Sequence, residues 1–169
     1  MITALPGSLA TGSIVNGWRI DGAQFAKSWD SGVGAQSVGG RWNPVGLKTV
    51  YCSVDPSTCI IEAAVHKKFK VLDTQPHVLT SIELTDLSNV RIVYPNEIPN
   101  PAWLHGGIPS TGQQIFGATL LQNHDFIFLP SAVSKMSWNI IFSPIRAIGK
   151  YMLRSQERLV MDTRLNPPT

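Results

Sequence analysis

Thr49-Val50-Tyr51-Cys52-Ser53-Val54-Asp55-Pro56-Ser57-Thr58-Cys59-Ile60-Ile61-Glu62-Ala63-Ala64-Val65-His66-Lys67-Lys68 joins a strand, a helix start and one misplaced charge. Residues 49–53 are short, β-rich and apolar, which predicts a buried strand. Asp55 is placed to cap a helix, and Pro56 takes the first helical position, where its missing N–H costs nothing. From Cys59 to Val65 the run is apolar on every face except at Glu62. His66, Lys67 and Lys68 then suit the negative end of the helix dipole. A carboxylate inside such a helix is either buried or lines a cleft. Burying it unpaired costs about several kcal/mol, so it is paired, protonated or in use. The residues alone leave two readings open: a structural ion pair with an arginine, or a catalytic or ribose-binding group.

Outward from this stretch the chain reads as many short strands and few helices. Residues 1–16 form an irregular lead-in, and residues 17–169 a single domain. Trp18-Arg19-Ile20 is a short strand, and the glycine-rich residues 21–40 are loop. Strands are expected at residues 78–84, 90–94, 125–129 and 138–142, and a helix at residues 112–123. The Pro- and Gly-bearing residues 95–110 are a long loop, and the alternation over residues 157–165 has strand periodicity. The sum is one α+β domain.

Two further places could carry chemistry. In Val38-Gly39-Gly40-Arg41-Trp42-Asn43-Pro44, two glycines let the backbone bend tightly beside an arginine. Backbone N–H groups and a guanidinium fork can converge there on a phosphate, although a β-turn with an exposed arginine is the more common reading of such a loop. In Leu129-Pro130-Ser131-Ala132-Val133 a serine follows a buried strand, where clefts open in such folds. No Gly-x-Ser-x-Gly elbow surrounds it, which argues against a serine hydrolase, and on local grounds a turn serine bonding its own backbone is the better reading. Arg146, Lys150, Arg154 and Arg158 recur every four positions and would form a basic stripe on a helix. Gly149 and the alternation beyond Glu157 argue instead for a solvated strand face.

Composition narrows the class. The chain has 169 residues, 43% hydrophobic and 15% charged, with 14 Gly and 12 Pro. A net charge of +3 is a weak field despite a pI near 9.0, and no nucleic-acid recognition motif accompanies it. Cys52 and Cys59 make no CxxC pattern, and His66, His77, His105 and His124 lack metal-ligand spacing, so neither a disulfide framework nor a metal site is expected. No leader pattern and no membrane-length apolar run stand out, which reads as a cytoplasmic chain with no membrane partner.

The order of these signals is similar to that of the RES-domain family, named for an arginine, a glutamate and a serine. The resemblance runs from Trp18 to Leu165. It is strongest from Gly39-Gly40-Arg41-Trp42-Asn43-Pro44-Val45-Gly46 through Val50-Tyr51-Cys52-Ser53 to Glu62. It continues in Leu129-Pro130-Ser131-Ala132-Val133, Trp138-Asn139 and Met161-Asp162-Thr163-Arg164-Leu165, and departs at Ser143-Pro144, where the family pattern has Asn-Pro. Resemblance implies a split, mixed β-sheet core like that of the ADP-ribosyltransferase toxins, with a cleft that holds NAD as substrate and requires no metal or other cofactor. It also implies a partner, an Xre-type helix-turn-helix antitoxin, through which alone nucleic acid would be reached. Carried to matching positions, Glu62, Arg41 and Ser131 would be catalytic. Arg19, Arg41, Trp42, Tyr51, Ser131 and Asn139 would bind NAD.

Those residue types suit cleavage of the nicotinamide–ribose bond. Arginines can clamp two phosphates, Tyr51 or Trp42 offers a stacking face, and Ser131 and Asn139 can bond the nicotinamide amide or the ribose. A carboxylate at Glu62 would stabilise the oxocarbenium-like ribose left behind. The resemblance thus implies a toxin that depletes NAD by hydrolysis or phosphorolysis. The alternatives are an ADP-ribosyltransferase acting on one host protein, a non-catalytic basic nucleic-acid-binding module, and a structural protein in which Glu62 is a core ion pair.

Overall fold

A computed structural model describes residues 14–107 and 109–165. Among these, seven strands form one sheet in the order β4-β5-β6-β2-β1-β3-β7. The strands are β1 (Val15–Gly22), β2 (Val50–Ser53), β3 (His77–Leu84), β4 (Val90–Ile92), β5 (Phe126–Pro130), β6 (Trp138–Phe142) and β7 (Tyr151–Arg158). Only β4 and β5 run parallel; every other neighbouring pair is antiparallel. Helices α1 (Val33–Val38), α2 (Pro56–Lys67), α3 (Phe69–Thr74) and α4 (Thr111–Asn123) complete a single α+β domain. No helix of the described residues is long and apolar enough to cross a membrane.

The sheet is mixed, and it is split. β1 and β3 pair over their full length, as do β2 and β6, but β1 and β2 meet in register only at Trp18 and Ser53. Near-continuous apolar runs in β5 and β6 follow from burial on both faces. Phe126, Phe128, Ile140 and Phe142 belong to one core, while Ile127, Leu129 and Ile141 belong to the other. On the second face lie Trp42, Trp103 and Leu121, which bring the Gly-Gly-Arg loop and α4 against the sheet. Gly117 of α4 allows that approach, because a Cβ there would lie 2.1 Å from the carbonyl oxygen of Trp42.

Helix α2 starts as its punctuation predicts. Asp55 caps it, accepting from the Thr58 backbone at 2.8 Å and the Thr58 hydroxyl at 2.7 Å, with Pro56 in the first turn. Asp55 also accepts from Ser137 at 2.7 Å, which ties the start of α2 to the turn before β6. Burial works against this carboxylate's charge, but its bonds from Thr58, Ser137 and Ser57 outweigh burial and hold it below the usual aspartate range.

Several expectations need correction. Residues 21–40 are not all loop: a 3-10 turn (Ala23–Ser28) and α1 form there, and α3 was not foreseen. The strand at 157–165 is displaced; β7 covers Tyr151–Arg158, and Thr163–Leu165 is a 3-10 turn. Alternating composition misled here because β7 is an edge strand with most of its side chains exposed, so burial does not enforce its pattern. β1 begins at Val15, two residues inside the expected lead-in, and residues 1–13 of that lead-in lie outside the described ones. The basic stripe dissolves into ion pairs. Arg146 and Lys150 both meet the buried Asp125, at 3.3 and 2.5 Å, and Arg154 meets Glu83 at 3.3 Å.

Alanine is the better helix former than glycine by about 1 kcal/mol, yet Gly117→Ala is expected to destabilise the protein by about 1–3 kcal/mol. Overlap with a backbone carbonyl outweighs propensity, and urea unfolding should show a lower midpoint at unchanged slope. Asp55, with its pKa depressed in the folded state, contributes stability that is present above the unfolded value and lost as pH falls through the folded one. Asp55→Ala should therefore cost about 0.5–2 kcal/mol at neutral pH, a difference from wild type that shrinks below about pH 4 in thermal melts.

Candidate active site

A cavity of about 290 Å³ opens where the sheet splits. Arg19 of β1, Arg41 of the Gly-Gly-Arg loop, Tyr51 of β2, Glu62 and Lys67 of α2, and Asn139 of β6 all contribute to its wall. One stripe of α2 faces it. Cys59, Glu62, Ala63, His66 and Lys67 recur at the spacing of a single helix face.

Glu62 is partly buried and held by two neutral donors on one oxygen. Oε1 accepts from the Ser131 hydroxyl at 2.7 Å and from Asn139 Nδ2 at 2.6 Å. Asn139 is itself oriented by the Ser53 hydroxyl, which donates to its Oδ1 at 2.8 Å across the β2–β6 ladder. Among the described residues Glu62 makes no ion pair and its Oε2 has no partner, so that oxygen is left to the cavity. The ion-pair reading of Glu62 therefore fails.

Ser131 takes the turn role that its local sequence favours, not the substrate contact that the resemblance implies. Its residue is fully buried (0% exposed), and its hydroxyl accepts from the Val133 and Ser134 backbone at 3.2 and 2.9 Å while donating to Glu62. It positions the carboxylate and holds a turn, with no surface for a substrate. Trp42 is corrected likewise. It contributes to the cavity wall, but at 2% exposure it packs in the core beside Trp103 and Leu121 and leaves almost no surface for a stacked ring. Like Trp18, which also lines the cavity, Tyr51 is partly exposed. Its hydroxyl is occupied, donating to Asn43 at 2.7 Å and accepting from the Trp42 N–H at 3.1 Å, and burial pushes its pKa up.

Both arginines reach the cavity, differently committed. Arg19 donates through Nε and Nη2 to the two oxygens of Asp21, at 2.7 and 2.5 Å, and through Nη1 to the Tyr51 carbonyl at 3.1 Å. Burial alone would lower its pKa, but Asp21 outweighs burial and holds the guanidinium protonated. Arg41 gives one hydrogen bond, to the Trp103 carbonyl at 2.5 Å, and keeps the rest of its fork. The Gly-Gly-Arg loop is set by Asn43, whose Nδ2 donates to the Ala35, Pro44 and Leu47 carbonyls. A Cβ at Gly40 would lie 2.5 Å from the Tyr51 hydroxyl, so glycine is what lets the loop close on the ring. Cys52 is buried in this wall and its thiol is pushed up to about 12. Burial raises Cys59 as well.

Reading the residues in order missed Asp21, Asn43, Ser53 and Lys67. Asp21 carried a usable signal, since Arg19 and Asp21 are two apart on one strand and so share a face. Lys67 carried one too, at the end of the Cys59, Ala63, Lys67 spacing on α2. Asn43 read as a turn residue, and nothing local marked Ser53.

A family model described as "RES domain" matches residues 17–162 of this chain. A curated protein named "Toxin Res" from Photorhabdus laumondii subsp. laumondii is 28% identical over 152 residues, covering 88% of this chain and 95% of that protein. A "Prs ADP-ribosylating toxin" from Sphingobium sp. is 28% identical over 142 residues, covering 79% and 84%. In fold, the chain is similar to a protein in the crystal structure of the M. tuberculosis MbcT-MbcA toxin-antitoxin complex. The TM-score is 0.71 at 22% identity, over 87% of this chain and 85% of that one.

Ser131→Ala removes the hydroxyl that serves Glu62 and two backbone N–H groups, and should cost about 1–3 kcal/mol in urea unfolding. A change within about 0.5 kcal/mol, the range of ordinary surface substitutions, would mean that the serine does not hold this turn.

Proposed function

The chain belongs to the RES domain family, and from that membership we propose that it is the toxin of a toxin–antitoxin pair, an enzyme that cleaves the nicotinamide–ribose bond of NAD. The observation that carries the proposal is the Glu62 carboxylate. One of its oxygens is pinned by Ser131 and Asn139, and the other faces a cavity shared with two arginines. The names of the relatives, "Toxin Res" and "Prs ADP-ribosylating toxin", support the biological role and the choice of substrate.

In the proposed reaction the bond between ribose C1′ and the nicotinamide nitrogen breaks. Its electron pair goes to the ring nitrogen, which turns the pyridinium into neutral nicotinamide. The positive charge passes to C1′ and the ring oxygen of ribose, where Glu62 Oε2 stabilises it and accepts from a ribose hydroxyl. Arg41 takes phosphate oxygens with its open fork, and the Tyr51 ring lies against the nicotinamide. Asn139, with one N–H on Glu62, keeps the other for substrate. A water molecule or inorganic phosphate then bonds to C1′, and water gives its proton to solvent. A neutral leaving group needs no Lewis acid, so no metal enters the proposal. A cavity of about 290 Å³ is at the small end for ligand sites and would enclose the nicotinamide end of the dinucleotide.

The partner proposed is an Xre-type helix-turn-helix antitoxin, and the place of action the cytoplasm, where NAD is drawn down and growth stops. A second reading, transfer of ADP-ribose to a protein side chain, is favoured by the name of the Sphingobium relative. It uses the same broken bond with a different acceptor.

Purified protein, freed of any antitoxin, should release nicotinamide from NAD. Glu62→Gln should lower that rate by about 10²–10³-fold while leaving the thermal midpoint nearly unchanged. Arg41→Ala should also abolish release with the fold intact. Wild-type protein that leaves NAD intact with and without phosphate would overturn the proposal. Labelled NAD in a cell extract separates the two readings: soluble ADP-ribose products mark consumption, and a single labelled protein band marks transfer.

A further inference from the structure

The cleft's cations are less available than their number suggests. Both oxygens of Asp21 are bound to Arg19, so that pair is close to neutral, and Glu62 offsets Arg41 within the same wall. Without a further cation the cleft holds as many negative as positive charges. A dinucleotide brings two phosphates, each needing a positive partner or several N–H donors. No such donors come from α2, which turns its C-terminal, negative end toward this part of the cavity.

We propose that Lys67 is a substrate-contacting residue that binds the diphosphate of the dinucleotide alongside Arg41 and the N–H groups of Arg19 that Asp21 and the Tyr51 carbonyl leave free. This rests on the NAD-cleaving reading and assigns the anion-binding end of that site. Lys67 lies on the cavity face of α2, and its partly buried ammonium has no hydrogen bond or ion pair among the described residues. Of the other cations on the cavity wall, Arg19 is held by Asp21 and Arg41 bonds the Trp103 carbonyl. Burial pulls the ammonium's pKa down, and Asp21 only partly opposes that. An anion arriving at this spot would meet an unneutralised charge in a low-dielectric wall. Position also fits. Five residues of α-helix separate Glu62 from Lys67 by about 7.5 Å along the axis, on the order of the reach from a ribose anomeric carbon to the phosphate on its 5′ oxygen. With Oε2 of Glu62 at the anomeric carbon, the long side chain of Lys67, on the same wall, would have the first phosphate within its reach.

The test measures ADP-ribose binding by calorimetry alongside nicotinamide release from NAD. Lys67→Ala should weaken ADP-ribose binding about tenfold at low salt, with the deficit shrinking as salt rises. Lys67→Arg should recover most of it. Affinity for nicotinamide riboside, which has no phosphate, should be unchanged in Lys67→Ala, which a general loosening of the cleft would not allow. Lys70→Ala, an exposed lysine off the cavity, should match wild type in every assay. Unchanged ADP-ribose affinity in Lys67→Ala, with wild-type protein still releasing nicotinamide, overturns the role of Lys67 and leaves the NAD reading standing. Lys67-dependent binding of ADP-ribose without nicotinamide release does the reverse. No binding of ADP-ribose by wild-type protein overturns the role of Lys67, and no nicotinamide release besides overturns both.

Discussion

A carboxylate drawn partly out of water must be met by donors, and Glu62 is met on a single oxygen by Ser131 and Asn139. That junction does more than satisfy a charge. Helix α2 packs on β1 and β2, whereas Ser131 and Asn139 come from the end of β5 and the start of β6. Between the two parts of the sheet the backbone ladder makes one contact, at Trp18 and Ser53. The Glu62 cluster is therefore a side-chain tie across a seam that the ladder leaves nearly open. Asp55 supplies a parallel tie through Ser137 at the other end of the same helix. Both ties act on α2, so the helix bearing the carboxylate is also the brace between the halves.

The open seam explains how a cavity can exist in a domain this small. Strands that paired fully would fill the gap between β1 and β2 with hydrogen bonds. Here a backbone acceptor freed by the split, the Tyr51 carbonyl, is met by the Arg19 guanidinium instead. Arg19 thus replaces part of a strand ladder while remaining in the cavity wall. Asp21 compels that arrangement, because its two oxygens fix the plane of the fork. Opposite, the Gly-Gly-Arg loop closes on Tyr51 through Asn43, and glycine at position 40 leaves room for the phenol.

How legible this was in the sequence depended on whether a signal was local or came from tertiary contact. Helix α2 was legible to the residue at its start, because Asp55 and Pro56 act within one turn. The apolar runs of β5 and β6 were legible because two covered faces remove any polar alternation. Glu62 stood out because it was the only charge in such a run. β7 was misplaced because an exposed edge strand has little burial to impress a pattern on its sequence. The motifs around Trp42 and Ser131 were readable, but the exposure of the two side chains was not. Whether an aromatic offers its face or a serine its hydroxyl depends on α4, on Trp103 and on a turn several residues away. Asp21 and Lys67 acquire meaning only when β1 and α2 are set side by side.

The choice of donors around Glu62 bears on its chemistry more than its burial does. Had an arginine paired with it, the carboxylate would carry little net field into the cavity, and a cation forming nearby would gain little. Serine and asparagine supply hydrogen bonds without supplying charge. They fix the geometry of one oxygen and leave the full negative charge to act through the other. The arginine that might have cancelled it, Arg19, is held instead by Asp21 on a neighbouring strand. Glu62 and Arg41 thus place opposite charges in one wall with no bond between them, whatever their net balance. A ligand with a cationic ring at one end and phosphates at the other is the kind of molecule that such a separation favours.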